Sequence, residues 1–381
     1  MMVSKDSRDG APDSGVLLVD KPQGVTSHDV VAAVRGALHM RRVGHAGTLD
    51  PMATGVLIIA FGHATRLLNY VSGHDKSYSA TIRLGLGTDT DDAEGRYLDP
   101  DACTYSDPLP PVEPLPDLDT LTLEELDGIV QRDFTGEIRQ IPSSYSAVKV
   151  HGVKAYDLAR AGKDVELKAR TVTIASCTLS RLRRSIVTLP DGTSRKVVDV
   201  DADISCSSGT YIRALARDIG FRLRVGGHLT RLRRSRIGTF DLADARMAEH
   251  LVLAERGERE FTNREGERVT RARAVLRNPD RVPELAFDEV QAARLAMPCI
   301  SVSADQAREL RFGRTLPIAL KGTAAAIEST DQGRERLCAI LAPAKDGNAH
   351  PEAVFPPRYP VLEGADGKRM VRVRQCLCPD A

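Results

Sequence analysis

The chain displays one carboxylate in a way that suggests chemistry. Asp50 lies within Gly44–Leu57, GHAGTLDPMATGVL, with Gly44 and Gly47 before it, Pro51 directly after it, and Gly55 opening the apolar run Val56 to Phe61. Glycine and proline at these places make an irregular turn that leads into a buried strand. A carboxylate on a loop held by rigid elements is a natural base or nucleophile. The plain alternative is an Asp-Pro turn with His45 as a helper, because Asp and Pro form turns for local reasons. Tyr78 follows Lys76-Ser77 at a strand mouth, where a ring is either a core aromatic or a platform on which an unpaired base stacks. Lys21 and the Arg41-Arg42 pair could meet phosphates or be solvated surface. The stretch Cys206 to Arg213, CSSGTYIR, sets a glycine turn and small hydroxyls before a helix, an arrangement that accepts anions.

The elements that must position these groups can be read from periodicity. Val16 to Val19, then Lys21-Pro22 and Gly24, then Val30, Val31, Val34 and Leu38 read as strand, turn and helix, with Ser27 as N-cap and Asp29 in the first turn. Tyr78, Ala80, Ile82 and Leu84 alternate as in a half-buried strand, and Leu121 to Ile129 is helical. Arg181 to Leu189 and Val197 to Ile204 flank Asp191-Gly192, a hairpin signal in which Gly accepts the positive φ of a tight turn. Ile212, Leu215, Ile219 and Leu223 recur at helical spacing, with Arg213, Arg217 and Arg224 displaced to another side.

The chain has 381 residues, too many for one ordinary domain, and 42% of them are hydrophobic, enough for a folded core. With no Trp and 4% aromatic residues that core is aliphatic. The net charge of +1 conceals two opposed blocks. From Asp89 to Asp133 fourteen Asp or Glu face two Arg, and six prolines lie between Pro100 and Pro116. That composition reads as an exposed, charge-swollen insertion, about residues 97–120. The run Gly87 to Gly95, GTDTDDAEG, resembles a calcium loop but lacks its terminal Glu and register. From Ser205 to Phe240 eight Arg face the single Asp218, the footprint of a polyanion partner, with a solvated face as the alternative. Seven cysteines, an odd number whose one short spacing is Cys376-x-Cys378, point to reduced thiols, no structural zinc and a cytoplasmic location. The longest apolar run is about six residues, against roughly 20 for a membrane span.

Taken together, the blocks KPQGVTS (Lys21 to Ser27), GHAGTLDPMATGVL, KSYSA with GTDTDDAEG, QIPSSYSAVKVHGVKAYDLAR, CSSGTYIRALARDIG and HLTRLRRSRIG resemble the bacterial tRNA pseudouridine synthase B (TruB) family, from about Gly15 to Phe240. Several ordered blocks over some two hundred residues are far more specific than a lone motif. One departure is Ser143, where many relatives carry a second proline; it is expected to alter the stiffness of the turn without touching the chemistry.

The resemblance implies an α+β pseudouridine synthase fold, with a mixed, mostly antiparallel sheet, flanking helices and a central cleft. It implies isomerisation of uridine 55 in the T arm of tRNA, without cofactor or metal. Asp50 would be the catalytic aspartate, His45 a contact to the flipped nucleotide, Tyr78 the stacking ring and Tyr211 a second pocket aromatic. Arg213 would pair with the carboxylate, Leu232 would line the pocket and Lys21 would lie near its entrance. Breaking an N-glycosidic bond and rejoining at carbon needs such a carboxylate and a closed pocket that retains the detached base. Extruding a stacked uridine costs a few kcal/mol.

Along the chain, residues 1–14 are expected to be a disordered leader, 15–240 the catalytic domain, 241–283 a helical connector, 284–363 a small β-rich PUA-like domain and 364–381 a flexible tail. A monomer that needs no protein partner and no membrane is expected. A non-catalytic tRNA-binding or chaperone protein, or a guide-dependent synthase, are the alternatives.

Overall fold

The computed structural model describes residues 12–98, 117–146, 148–150, 152–161, 167–263, 265–330, 333–344, 347–356, 362–363 and 369–370. Most of the expected leader, the middle of the acidic insertion and most of the tail lie outside them. In chain order the elements are β1 (Gly15–Lys21), α1 (Ser27–Leu38), β2 (Val43–Ala46), β3 (Thr54–Phe61), α2 (Leu68–Ser72), β4 (Lys76–Leu84), α3 (Leu123–Asp133), β5 (Gly136–Gln140), β6 (Lys149–Val150), β7 (Val153–Lys154) and α4 (Ala155–Arg160). They continue with β8 (Arg170–Thr188), β9 (Ser194–Cys206), α5 (Ile212–Arg222), β10 (Gly227–Ile237), β11 (Phe240–Asp241), α6 (Ala245–Ala248), β12 (Leu251–Thr262), β13 (Arg268–Leu276) and α7 (Glu289–Ala296).

Among the described residues eleven of these strands build one sheet in the order β13-β12-β1-β3-β10-β4-β9-β8-β5, with β2 added beside β3 and β11 beside β10, while β6 and β7 pair with each other alone. The β1–β12 and β3–β10 pairs are parallel and the rest antiparallel. One core covers a face of this sheet, where Leu17 and Val19, Leu57 and Ile59, Tyr78 to Leu84 at alternate positions, and Val198 to Ile204 meet Val30, Val31 and Val34 of α1 and Leu215 and Ile219 of α5. Period-2 strands and period-3.6 helices thus present matching apolar surfaces.

Two local readings are corrected. The N-cap of α1 is Thr26, in a reciprocal capping box with Asp29. Ser27 instead turns inward, accepting from the Leu49 amide at 2.8 Å and donating to the Leu49 carbonyl at 3.0 Å. The charged stretch after residue 241, expected as a helical connector, contains the long hairpin of β12 and β13, closed by Asn263 to Glu267 with Gly266 at φ +84°. Its Glu, Arg and Ala are good helix formers, yet β12 pairs alongside β1 and tertiary pairing overrides propensity.

The chain divides into units Met1–Ala296 and Met297–Ala381. The second is a four-stranded sheet in the order β14 (Cys299–Val302), β15 (Ala324–Ser329), β16 (Glu335–Pro343), β17 (Ala349–Val354), with α8 (Ala304–Arg311) against it. It begins thirteen residues later than the sequence suggests, because α7 packs on β1 of the first unit.

Candidate active site

Arg213, second residue of α5, is buried to 4% exposure, and its Nε donates to Asp50 Oδ2 at 2.9 Å. Its other donors are also committed. Nη1 gives to the Thr90 carbonyl at 2.8 Å and to Ser143 Oγ at 3.4 Å, with the Asp92 carboxylate 3.5 Å away; Nη2 gives to the Tyr145 carbonyl at 2.9 Å. A planar fork with five N–H groups is the side chain able to satisfy so many acceptors at once. Asp50 itself is 36% exposed. The carboxylate is therefore aimed by a buried cation while one side of it stays open.

The run Gly87 to Gly95 supplies part of this frame. Thr90 donates to Asp92 Oδ1 at 2.6 Å, Asp92 also accepts from the Glu94 amide, and Asp91 lies 3.2 Å from Arg217 Nη1. The calcium-like spacing of its acids thus serves to hold two arginines. The Ser143 hydroxyl lies in this frame, accepting from Arg213 Nη1 at 3.4 Å.

The turn that carries Asp50 is pinned from below. Lys21 is fully buried, and its Nζ donates to the carbonyls of Val25 at 2.7 Å, Pro22 at 2.9 Å and Pro51 at 3.3 Å. Burial pulls its pKa down to about 8, against the attraction of Asp50 and Glu94. Lys21 is not among the residues that line the cavity above Asp50; it ties the β1–α1 loop to the Asp50 turn. Arg234, 1% exposed, donates to the Val56 carbonyl at 2.9 Å and the Gly47 carbonyl at 2.6 Å. Gly55 allows β3 and β10 to approach: a Cβ there would lie 2.1 Å from the Arg234 carbonyl oxygen.

Above Asp50 opens a cavity of about 260 Å³, the scale of one nucleoside and just under the ~300 Å³ lower bound of drug-sized sites. Asp50, Tyr78, Tyr211, Arg213 and Leu232 line it together, as do Lys76 and Arg234. Tyr78 comes from β4 and Leu232 from the facing strand β10, and both are buried. Burial raises the pKa of Tyr78 and of Tyr211, so both phenols stay neutral. Tyr211 precedes α5 and is held by Gln140, whose amide accepts from its N–H at 2.8 Å and donates to its carbonyl at 3.1 Å.

His45, on β2, does not line the cavity. Its Nδ1 is buried without a hydrogen-bond partner, and burial, with His28 and Arg234 nearby, lowers its pKa. Sequence reading missed Gln140, Lys76 and Arg234 as site residues, since a lone charge or amide carries no signal of burial. Among the described residues no group of three His, Cys, Asp or Glu could hold a metal ion, and no helix is long and apolar enough to cross a membrane.

The fold is that of the pseudouridine synthases. The crystal structure of a Cbf5-Nop10-Gar1 complex matches with a TM-score of 0.57 at 22% identity, over 90% of this chain and 85% of that one. The sequence is more specific. Residues 35–212 match the model of the TruB family pseudouridylate synthase, N-terminal domain. A tRNA pseudouridine synthase B of Bifidobacterium longum (strain DJO10A) is 48% identical over 90% of this chain and 98% of its own. Another, of Mycobacterium tuberculosis (strain CDC 1551 / Oshkosh), is 41% identical over 87% of this chain and 96% of its own. The chain belongs to the TruB family of pseudouridylate synthases.

Proposed function

We propose that this protein is a tRNA pseudouridine synthase that isomerises uridine 55 in the T arm. The observation that carries the reading is the Arg213–Asp50 pair at the floor of a nucleoside-sized cavity walled by two tyrosines. The family supports the substrate class; the geometry supports the chemistry. In that reaction the C1′–N1 bond breaks, the uracil turns, and a C1′–C5 bond forms. C5 loses its proton and N1 gains one, so no oxidant or reductant enters.

Asp50 acts at the sugar, as nucleophile or as base, and Arg213 orients it through a charge-assisted hydrogen bond. Tyr78 stacks on the extruded base, offsetting the few kcal/mol that unstacking costs. Tyr211 and Leu232 close the cavity so that the detached uracil stays in place. His45, neutral and off the cavity wall, contacts the flipped nucleotide on its way in. The protein works in the cytoplasm as a single chain without a protein partner, and its second unit is a PUA-like module that supports RNA binding.

The test compares wild type with Asp50→Asn on an unmodified tRNA transcript, following pseudouridine formation and binding in parallel. Normal binding with no product in the variant supports the reading. Product formed by Asp50→Asn overturns the site. Tight binding with no product from the wild type means a binder or a partner-dependent synthase.

A further inference from the structure

β12 pairs with β1 through Leu251–Leu253, and the two strands are parallel. Beyond that point Ala254 to Thr262 run on with β13 alone, from Ala254 opposite Leu276 to Thr262 opposite Arg268. Ala254 stands level with Lys21 at the end of β1, so at ~3.3 Å per residue the eight residues Glu255 to Thr262 overhang that end by about 26 Å. The overhang lies at the end of the sheet that holds the Asp50 turn, because Lys21, the last residue of β1, is paired with Gly55 at the start of β3.

The root of this hairpin is anchored beside the site. Ala254, Ala274 and Leu276 join the core that contains α1. The side chain of Arg256 lies over Gly24, 3.2 Å from where a Cβ would stand, and the Gly24 amide donates to the Pro51 carbonyl at 2.8 Å. Arg271 reaches within 3.9 Å of Asp29 at the start of α1. Arg256 and Arg271 therefore border the loop that adjoins the catalytic turn, and they keep side-chain exposures of 57% and 68%.

One pair of the exposed arginines is set against itself, and the others are only loosely satisfied. Arg259 stands directly opposite Arg271, and like charges placed so repel. Glu255 is already taken by Arg277 at 2.6 Å, and the nearest acid to Arg256, Glu258, is 3.9 Å away, beyond a hydrogen bond. Among the described residues none of Arg256, Arg259 and Arg271 donates a hydrogen bond. Charge on the edge strand β13 can serve to block strand pairing, but that purpose needs no second arginine across the ladder on β12. Phe261 is 40% exposed on the same hairpin.

We propose that the β12–β13 hairpin is an arm for the RNA backbone, in which Arg256, Arg259 and Arg271 bind phosphates flanking the nucleotide held in the cavity. Arg259 and Arg271 share one face of the ribbon and Arg256, three residues from Arg259, the other, so the arm meets phosphates on both sides, and a phosphate between Arg259 and Arg271 relieves their repulsion. The inference rests on the reading of the protein as an RNA-modifying enzyme and adds a contact region to it.

The test is the triple variant Arg256→Gln/Arg259→Gln/Arg271→Gln in the full chain, with tRNA transcript as the probe. Kd and single-turnover pseudouridine formation are measured from low to high salt, and thermal unfolding is followed alongside. The expected result is a Kd raised on the order of 10-fold at 0.1 M salt and a log Kd against log salt slope shallower by about 2–3. The loss is carried by Kd rather than by the rate at saturating RNA, and the matching triple Lys variant recovers the slope. An active wild type whose Gln variant keeps Kd and slope overturns the arm alone. A Gln variant that changes only its oligomeric state also overturns it, in favour of a protein interface. A wild type that binds tRNA but makes no pseudouridine overturns the enzyme reading instead, and the salt slopes still decide the arm.

Discussion

Arg213 and Arg234 are 4% and 1% exposed, whereas Arg256 and Arg271 keep side-chain exposures of 57% and 68%. Both pairs come from arginine-rich stretches, the first with eight Arg against a single Asp, the second, Leu251 to Arg277, with seven Arg against five Glu. In the first stretch, from Ser205 to Phe240, arginines are consumed by the protein: Arg213 by Asp50 and three backbone or hydroxyl oxygens, Arg222 by Asp133, Arg233 by Asp20, Arg234 by two carbonyls. In the second, on the β12–β13 hairpin, Arg259 faces Arg271 across the ladder, and Arg256 and Arg271 stay more than half exposed with acids no closer than 3.9 Å. Charge density in a sequence gives the number of cations and leaves open whether a fold or a ligand neutralises them. The block that reads most like a polyanion footprint is in large part scaffolding.

The sharpest way to break this contrast is to remove the carboxylate that Arg213 serves. Asp50→Asn should lower pseudouridine formation on the order of 10⁴-fold, the scale seen when one member of a catalytic unit is lost, with tRNA affinity changed by only a few fold. Product assays and binding isotherms on one transcript check it. A variant that binds poorly and still turns over would make Arg213 and Asp50 merely another structural pair.

Next come the buried cations themselves. Arg234→Leu leaves the Val56 and Gly47 carbonyls without their donor, and should cost about 2–5 kcal/mol in denaturant unfolding. A loss below 1 kcal/mol would mean that water substitutes and that the first region is less committed than its geometry implies.

Lys21 sharpens the comparison through pH. Its folded pKa is about 8 and its ordinary value 10.5, so between those values the unfolded chain holds a proton that the folded chain has released. Wild-type stability relative to Lys21→Met should therefore rise as pH goes from about 8 to about 10.5. A flat difference over that window would mean that the three carbonyls keep the ammonium charged.

The smallest effect is expected on the hairpin. Arg273→Gln, at an exposed position opposite Gly257, should change unfolding free energy by no more than about 0.5 kcal/mol. A larger loss would place the hairpin arginines among the scaffold.

Much of the frame was legible in the sequence. The glycine-bounded Asp50 turn, the buried alternation from Tyr78 to Leu84 and the hairpin across Asp191-Gly192 all stand where local rules put them. Asp50, Tyr78, Tyr211, Arg213 and Leu232 converge on one cavity. What could not be read depends on partners far along the chain. Lys21 and Arg234 look solvated until the carbonyls of Pro51 and Val56 are brought to them. The β12–β13 hairpin was hidden because Glu, Arg and Ala favour helices. Its signal was the turn at Asn263 to Glu267, with Asn and Gly ahead of the alternating Arg271 to Ala274.

The Ser27 hydroxyl holds both polar groups of Leu49, and Lys21 and Arg234 hold the carbonyls of Pro51 and Gly47 on either side. A segment bound in this manner has little conformational entropy left to lose when substrate arrives. Ordering on binding then falls to the RNA, and the Leu49 amide should exchange with solvent as slowly as one in a strand interior. For an enzyme whose task is to pull a nucleotide out of a folded loop, this rigidity keeps the binding free energy for deforming the substrate instead of assembling the catalyst.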